Sequence, residues 1–424
     1  MTAEIAVLNK TAVALAADSA VTIGREPNIK IYNTVNKIFE LSKHQPIGIM
    51  IYGGLNFMGL PLETLIKQFR SEMGRSSFHT VAEYAEKFKK YLSKSISFSN
   101  SDDIDNLIFV LIDELKDINR EIDKLILDDI IAQGAYKKSK VNGIAQKYIK
   151  TKISELKNLQ FADGFTTKAV PAKYVPYVDA LISNAFDNNR PNQGTKKLLQ
   201  DFAGLFLSKK ILSDGRTGIV ISGFGTKETC PSLSQFEVDG IIDGKLKYVD
   251  MPYIDIGRSG PHADIIGFAQ DDMMKSFLNG IDPKIHKYID EMIEGGIKDT
   301  ANMIFNAVYN NQAQVTQANQ ALKAQLDTLA QDAKQKVTEY IKDKASDPIR
   351  QMIRSMPKQE LATLASSLIE ITSLKRKVTR AQETVGGEVD VAIISKFDGF
   401  VWVKRKHYFP QELNRRFFVR HFGE

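Results

Sequence analysis

A single cysteine, Cys230, stands in 424 residues, which excludes an intramolecular disulfide framework and any cysteine-based structural zinc site. It also fits a reducing compartment. The six histidines (44, 79, 262, 286, 407 and 421) show no HxxxH or other paired metal spacing, so no metal is expected. No GxGxxG or Walker-type loop occurs. Gly223-Phe224-Gly225 lacks the third glycine and a following helix, and reads as a strand end or turn. No cofactor is expected, and any ATP use would come from a partner. No stretch approaches the ~18 uncharged apolar residues of a membrane-spanning helix. Thr11 to Ala17 behind Lys10 faintly echoes a secretory signal, but Glu4 sits in the would-be basic region and the run is short. The expectation is a cytoplasmic protein without a membrane partner.

What is present suits a folded, multidomain chain. Hydrophobic residues make up 43% and charged residues 25%, enough to bury proper cores. The length corresponds to about two to three domains of ~150 residues. Lys and Arg total 57 against 51 Asp and Glu, and the resulting +6 is too mild to imply nucleic acid.

The β-rich runs Ile5 to Leu8 and Ala12 to Ala16, split by Asn9-Lys10-Thr11, predict a tight hairpin. A second is predicted from Lys37 to Leu41 and Ile47 to Tyr52. The latter is nearly all apolar, as in a strand covered on both faces, and ends at Gly53-Gly54. Leu62, Leu65, Ile66 and Phe69 make one helical stripe, and Val81, Tyr84, Phe88 and Tyr91 another. Residues 101–215 are charged and helical in period. Strand signals return at Gly218 to Phe224, Ser234 to Val238 and Leu246 to Met251. A helical block over 283–356 carries Val315, Leu322, Leu326, Leu329, Val337 and Ile341 at spacings of a helical hairpin or coiled coil. Another helix follows from Leu361 to Arg380, and Val389 to Ile394 with Gly399 to Val403 predict a closing hairpin. This order reads as one αβ body interrupted twice.

Four features carry chemistry only as a set: Thr2 behind Met1, the run Ala16-Ala17-Asp18-Ser19, the run Asn36-Lys37-Ile38-Phe39, and Gly53-Gly54. Singly, each has a plain reading as a start site, a turn aspartate, a solvated lysine or a turn. In this order the set resembles proteasome β-subunits and the related bacterial ATP-dependent protease subunit, which are N-terminal-nucleophile hydrolases. Near the end, Gly386-Gly387-Glu388-Val389-Asp390-Val391 and Asp398-Gly399 resemble the family's closing strand and turn. The resemblance spans roughly 2–95, 216–282 and 358–405. It implies an α+β fold, a four-layer αββα sandwich of two antiparallel sheets with two helical insertions. The body then divides as 1–100, 216–282 and 358–424, with insertions at 101–215 and 283–357.

The same resemblance assigns roles. Thr2, exposed by Met1 removal, is the nucleophile; Asp18 and Lys37 are the acid and the lysine, and Gly53 supplies an oxyanion donor. Thr22, Ile51 and Gly54 fall at substrate-binding positions, though Ile51 reads equally as plain core. An α-amine of ordinary pKa about 7.7–8.0 can accept the threonine proton, and a neighbouring ammonium would lower that pKa. One backbone donor to an oxyanion contributes about 3 kcal/mol.

Three supporting positions depart from the family. Gln382 and Val385 stand where it has an aspartate and a serine, and a family serine falls near Gly267 to Gln270. Gln270, Asp271 and Gln382 are candidate replacements. Asp271 and Asp272 read equally as caps of a helix beginning at Met273. The implied partners are a peptide or protein substrate, further copies of the chain, and an ATP-dependent unfoldase or adaptor. Two rival readings stay open: a non-catalytic scaffold binding a protein partner through the helical inserts, and a small-molecule amidase. The basic, aromatic run from Trp402 to Phe422 superficially suits nucleic acid, but Phe417, Phe418 and Phe422 read better as packing anchors. The acidic run Asp113 to Asp129 reads as a solvated helix face or an adaptor-binding arm.

Overall fold

A computed structural model describes residues 2–23, 30–94, 96–134, 138–187, 190–257, 261–309, 311–379, 385–410 and 412–422. The chain opens with β1 (Ala3–Asn9), β2 (Ala12–Ala17), β3 (Val21–Ile23), β4 (Lys30–Tyr32), β5 (Ile38–Glu40) and β6 (Ile47–Gly53). The short β7 (Asn56–Phe57) and β8 (Leu60–Pro61) lead into α1 (Leu62–Met73) and α2 (Val81–Lys94). Next come α3 (Asn100–Gln133), α4 (Lys138–Asn158), α5 (Val175–Ala185) and α6 (Gln193–Ser208). Strands β9 (Thr217–Gly223), β10 (Ser232–Ile242), β11 (Lys245–Asp250), β12 (Ile254–Asp255) and β13 (Ala263–Ala269) follow. Helices α7 (Asp272–Asn279), α8 (Pro283–Val308), α9 (Gln312–Ile341), α10 (Asp347–Arg354) and α11 (Lys358–Val378) precede β14 (Asp390–Ser395), β15 (Gly399–Lys404) and α12 (Arg415–Phe422). The class is α+β with antiparallel pairing. The chain divides into two compact units: Met1–Val35, Ile256–Ile393 and Trp402–Glu424, and Asn36–Asp255 with Ile394–Val401.

The sheet of the first unit runs β13-β1-β2-β14-β15. β1 and β2 pair with Ile5 opposite Ala16 and Val7 opposite Ala14, around the turn at Lys10-Thr11. Asn9 is fully buried and closes that turn. Its Oδ1 accepts from the N–H and hydroxyl of Thr11 (2.9 and 2.7 Å), and its Nδ2 donates to the carbonyls of Ile353 and Met356 (3.0 and 2.9 Å). Every residue of both strands is buried. One face, with Ala12, Ala14 and Ala16, receives Leu361, Ala362, Ala365 and Leu368 of α11. Small side chains on both surfaces let the helix sit close, and each buried Leu contributes roughly 1.5–3 kcal/mol.

β13 was not apparent in the sequence, because Gly267 and the charged ends interrupt its apolar run. At α7, Asp271 holds the N-cap position, but its side chain makes no capping bond. With φ −107° and ψ 3° its backbone lacks the extended geometry that aims a cap, and the carboxylate pairs with Lys275 instead (2.7 Å). α8 and α9 pack as a hairpin, joined by Asn302–Asn319 (2.6 Å) and Glu294–Lys334 (2.7 Å). The seam follows Val315, Leu326, Ala330, Val337 and Ile341. Leu322 and Leu329, expected on it, are 41% and 56% exposed. Leu329 is one residue from buried Ala330, and a helix turns by about 100° per residue, so it rotates off the seam. The terminal aromatics pack on one another, with Phe409–Phe417 at 4.9 Å and Phe417–Phe418 at 5.4 Å between centroids. The Phe422 side chain lies outside the described residues.

The sheet of the second unit runs β11-β10-β9-β6-β5, with β12 on β10. Ile47 to Tyr52 of β6 is buried throughout, and its partner strand β9 is equally apolar (Ile51 opposite Ile219). β9 ends at Gly223, whose φ of +144° and close approach to the Pro46 carbonyl require glycine. The apolar stripes of α1 and α2 cover this sheet. Helices α3 to α6 build a second core around Leu111, Leu115, Ile182, Phe202 and Phe206. Beyond it, the acidic residues from Asp113 to Asp129 of α3 are exposed or half-buried and none is fully buried. No helix among the described residues is long and apolar enough to cross a membrane.

Candidate functional site

In the first unit, three of the singled-out segments converge on the start of β1. Asp18 ends β2 and is 1% exposed. Its Oδ1 accepts from the N–H of Ala3 (3.1 Å), and its Oδ2 accepts from the N–H groups of Ala20 (3.3 Å) and Gly386 (3.0 Å). The Asp18 N–H donates to the Ala3 carbonyl (3.2 Å) and that of Ser19 to the Gly386 carbonyl (3.1 Å). The Ser19 hydroxyl donates to the Glu388 carbonyl. Gly387 must be glycine: its φ is +77°, and a Cβ there would lie 2.6 Å from the Asn33 carbonyl oxygen. One carboxylate therefore ties the residue after Thr2, the end of β2 and the Gly386-Gly387 loop into a single knot.

Thr2 is 2% exposed. Its carbonyl accepts from the N–H of Gln270 (3.0 Å), and its hydroxyl donates to Oε2 of Glu4 (3.1 Å). Glu4 is completely buried in β1 and was missed in reading the sequence. The signal was there: a carboxylate inside an apolar strand (EIAVL) has to be bonded or neutralised. Gln270 follows Ala269, whose φ of +58° turns the chain out of β13. Asp271 is committed to Lys275. Thr22 lies half-buried on β3, opposite Ile31 of β4. Met1 and Gln382 lie outside the described residues.

The second unit holds the other group. Lys37 precedes β5 and is 1% exposed, so it is no solvated surface lysine. Its carbonyl accepts from the N–H of Ile51 (2.9 Å), which fixes it against β6. The Ile51 side chain lies in the hydrophobic core. Gly53 ends β6 opposite Thr217 with a φ of +72°, and a Cβ would come within 2.7 Å of the Arg216 carbonyl oxygen. Gly54 donates to that carbonyl (3.3 Å) and rests on Thr217, whose Oγ1 would be 2.3 Å from an added Cβ. Gly53 is thus required by its positive φ and close backbone approach, and Gly54 by the Thr217 side chain against it.

The second unit also buries a charged pair that the sequence reading missed. Lys247 and Asp239 are both fully enclosed, 3.1 Å apart, and the lysine donates to the Phe206 carbonyl as well (2.9 Å). Burial pushes the Lys247 pKa down, opposed by the charges of Asp239 and Glu114. Burial, together with the carboxylates of Asp214, Asp117 and Asp239, pushes Glu114 up to about 7. No cluster of three or more metal-ligating side chains occurs among the described residues. Comparison of the chain with known family models and with curated proteins returns no match.

Proposed function

We propose that the chain is a proteasome-like threonine hydrolase of four-layer αββα type that cleaves peptide or amide bonds through Thr2 once Met1 is removed. The observation that supports this reading best is the knot at the start of β1. There Asp18 binds the N–H of Ala3 and the Gly386-Gly387 loop while Thr2 sits buried with its hydroxyl held by Glu4. Three separate stretches of sequence meet at the head of one strand, and Gln270 from a fourth holds the Thr2 carbonyl. In the proposed reaction the Thr2 oxygen attacks the substrate carbonyl carbon and its proton passes to the α-amine. The tetrahedral oxyanion accepts a hydrogen bond from the Gly53 N–H and collapses to a threonyl ester as the α-ammonium returns its proton to the leaving amine, and water then hydrolyses the ester. The role given to Lys37 is to lower the pKa of the amine, and it draws on the resemblance and on the burial of that lysine.

The test is intact-mass analysis of the protein from cells, followed by treatment with an epoxyketone. The expected result is loss of Met1 and a single adduct on Thr2, absent from Thr2→Ala and slowed in Lys37→Ala. Retained Met1, or an unmodified Thr2, overturns the hydrolase. Turnover panels of peptides and small amides then divide peptidase from amidase. The scaffold alternative draws on one observation: α8 exposes Ile285, Tyr288, Met292 and Met303 (55–73%), an apolar stripe suited to a protein partner.

A further inference from the structure

A cavity of about 310 Å³ lies within the second unit, between β7 with its turn into β8, the first turns of α3 and the bulge of β10. Its chemistry is one-sided. Phe57 and Val238 supply apolar floor, and the half-exposed ring of Phe109, lying on Gly215, supplies a wall. The polar lining is rich in acceptors, and no lysine, arginine or histidine lines it among the described residues.

Two of those acceptors have no protein donor. Asn106 is 7% exposed; its Nδ2 is spent on the Ile241 carbonyl (3.2 Å), and its Oδ1 accepts no bond from the described residues. The Asp105 carboxylate, one residue earlier on α3, forms no ion pair or hydrogen bond with the described residues. Asp102 uses one oxygen to accept from the N–H and hydroxyl of Ser99 (2.8 and 2.7 Å), bonds that also keep it ionised. Asp239, by contrast, is neutralised by Lys247 and bonded by Ser213, so it contributes shape rather than charge. Gly240 completes the wall: its φ is +104°, and a Cβ would collide with the Asn106 amide at 2.6 Å.

The Asn106 oxygen, on a side chain otherwise 7% exposed and fixed through its Nδ2, keeps acceptor capacity that a ligand donor can use. A bare metal ion would leave the apolar floor and the Phe109 face unused, and an anion would meet only carboxylates. We infer that this cavity binds a guanidinium or ammonium group on an alkyl stem. The head donates to Asn106 Oδ1 and the carboxylates of Asp102 and Asp105, the stem lies on Phe57 and Val238, and the Phe109 ring faces the cation. The inference stands independently of the Thr2 chemistry. The same head group occurs in a basic side chain of a peptide and in a free small amine.

Calorimetric titration of the full chain tests it with three probes: acetyl-arginine N-methylamide, agmatine, and acetyl-norleucine N-methylamide, which keeps the stem and lacks the charge. At least one cationic probe should bind about tenfold or more tighter than the norleucine compound, weakening as salt rises. Tighter binding of the arginine amide names a peptide side chain as the source, and tighter binding of agmatine names a free amine. Asp105→Asn should weaken the cation about three- to tenfold, and Asn106→Leu by more, with norleucine unaffected by Asp105→Asn. Asp105 is exposed, so that variant keeps the test valid if Asn106→Leu fails to fold. Equal binding of norleucine, absence of binding by both cations, or unchanged affinity in Asp105→Asn overturns the assignment.

Discussion

Cutting the buried Lys247–Asp239 pair from either side should expose how much of the second unit depends on it. Lys247 has no solvent contact and three polar or π partners: Asp239 at 3.1 Å, the Phe206 carbonyl at 2.9 Å and the Phe206 ring at 4.6 Å. Lys247→Met keeps the stem but leaves Asp239 as a buried anion held only by the N–H and hydroxyl of Ser213. Breaking a buried pair in this way costs about 3–5 kcal/mol. Asp239→Asn strands the ammonium instead, at a similar cost. The double variant removes both charges while the Asn side chain still accepts from Ser213, so it should be more stable than either single variant, with a coupling of roughly 2 kcal/mol or more. In urea melts followed by far-UV circular dichroism, a slope of about 3 kcal/mol per molar makes each single loss a midpoint shift of about 1 M or more. The pH dependence follows from the sign of the Lys247 shift. A lysine whose folded pKa lies below its unfolded value binds fewer protons when folded, so its contribution to stability rises with pH across that interval. Loss of Asp239 removes the group that opposes the shift, so the Asp239→Asn deficit should narrow as pH rises toward the ordinary lysine value of 10.5. Single variants within 1 kcal/mol of wild type, or strictly additive losses, would refute the reasoning.

Glu114 gives the opposite pH signature. Folded, it stays protonated up to about 7, while the unfolded chain ionises it near its ordinary value, so stability falls as pH rises through that window. Glu114→Gln should remove the fall and be more stable than wild type at pH 8 by about 1–2 kcal/mol, after discounting for its partial exposure. Thermal melts at pH 4 and pH 8 check it, and identical slopes for both proteins contradict it. Gly218→Ala should destabilise by roughly 3 kcal/mol in the same melts, because a Cβ there would sit 1.9 Å from Cζ of Tyr52, itself pinned by Glu237 and Gln235. A neutral result would mean the ring can move aside. Asn9→Ala strands the carbonyls of Ile353 and Met356 and the N–H of Ala12, and should cost about 2–4 kcal/mol in urea melts. A loss below 1 kcal/mol would show that water replaces the amide.

Much of the secondary structure was legible because its signals are local. Apolar runs and turn residues marked β1, β2, β5 and β6, and the 3.6-residue stripes marked α1 and α2. Leu322 and Leu329 misled because apolar spacing names a face without naming which neighbour covers it. Asp271 misled because capping depends on a backbone angle that composition does not reveal.

Residue order alone therefore determined where the longer helices and most of the longer strands lie, and that Asp18, Lys37 and Gly53-Gly54 stand at strand ends, since each is set by contacts a few residues long. Only the tertiary structure decided that Asp18 bonds Ala3 and Gly386, residues 368 apart from it in the latter case. It alone decided that Thr2 bonds Glu4, that Asp239 and Lys247 neutralise each other in the core, and that Asn106, tied to the Ile241 carbonyl, lines a cavity beside Asp102 and Asp105. The physical reason is that a buried polar group takes its meaning from the partner that replaces water, and that partner is chosen by packing rather than by neighbourhood in the chain.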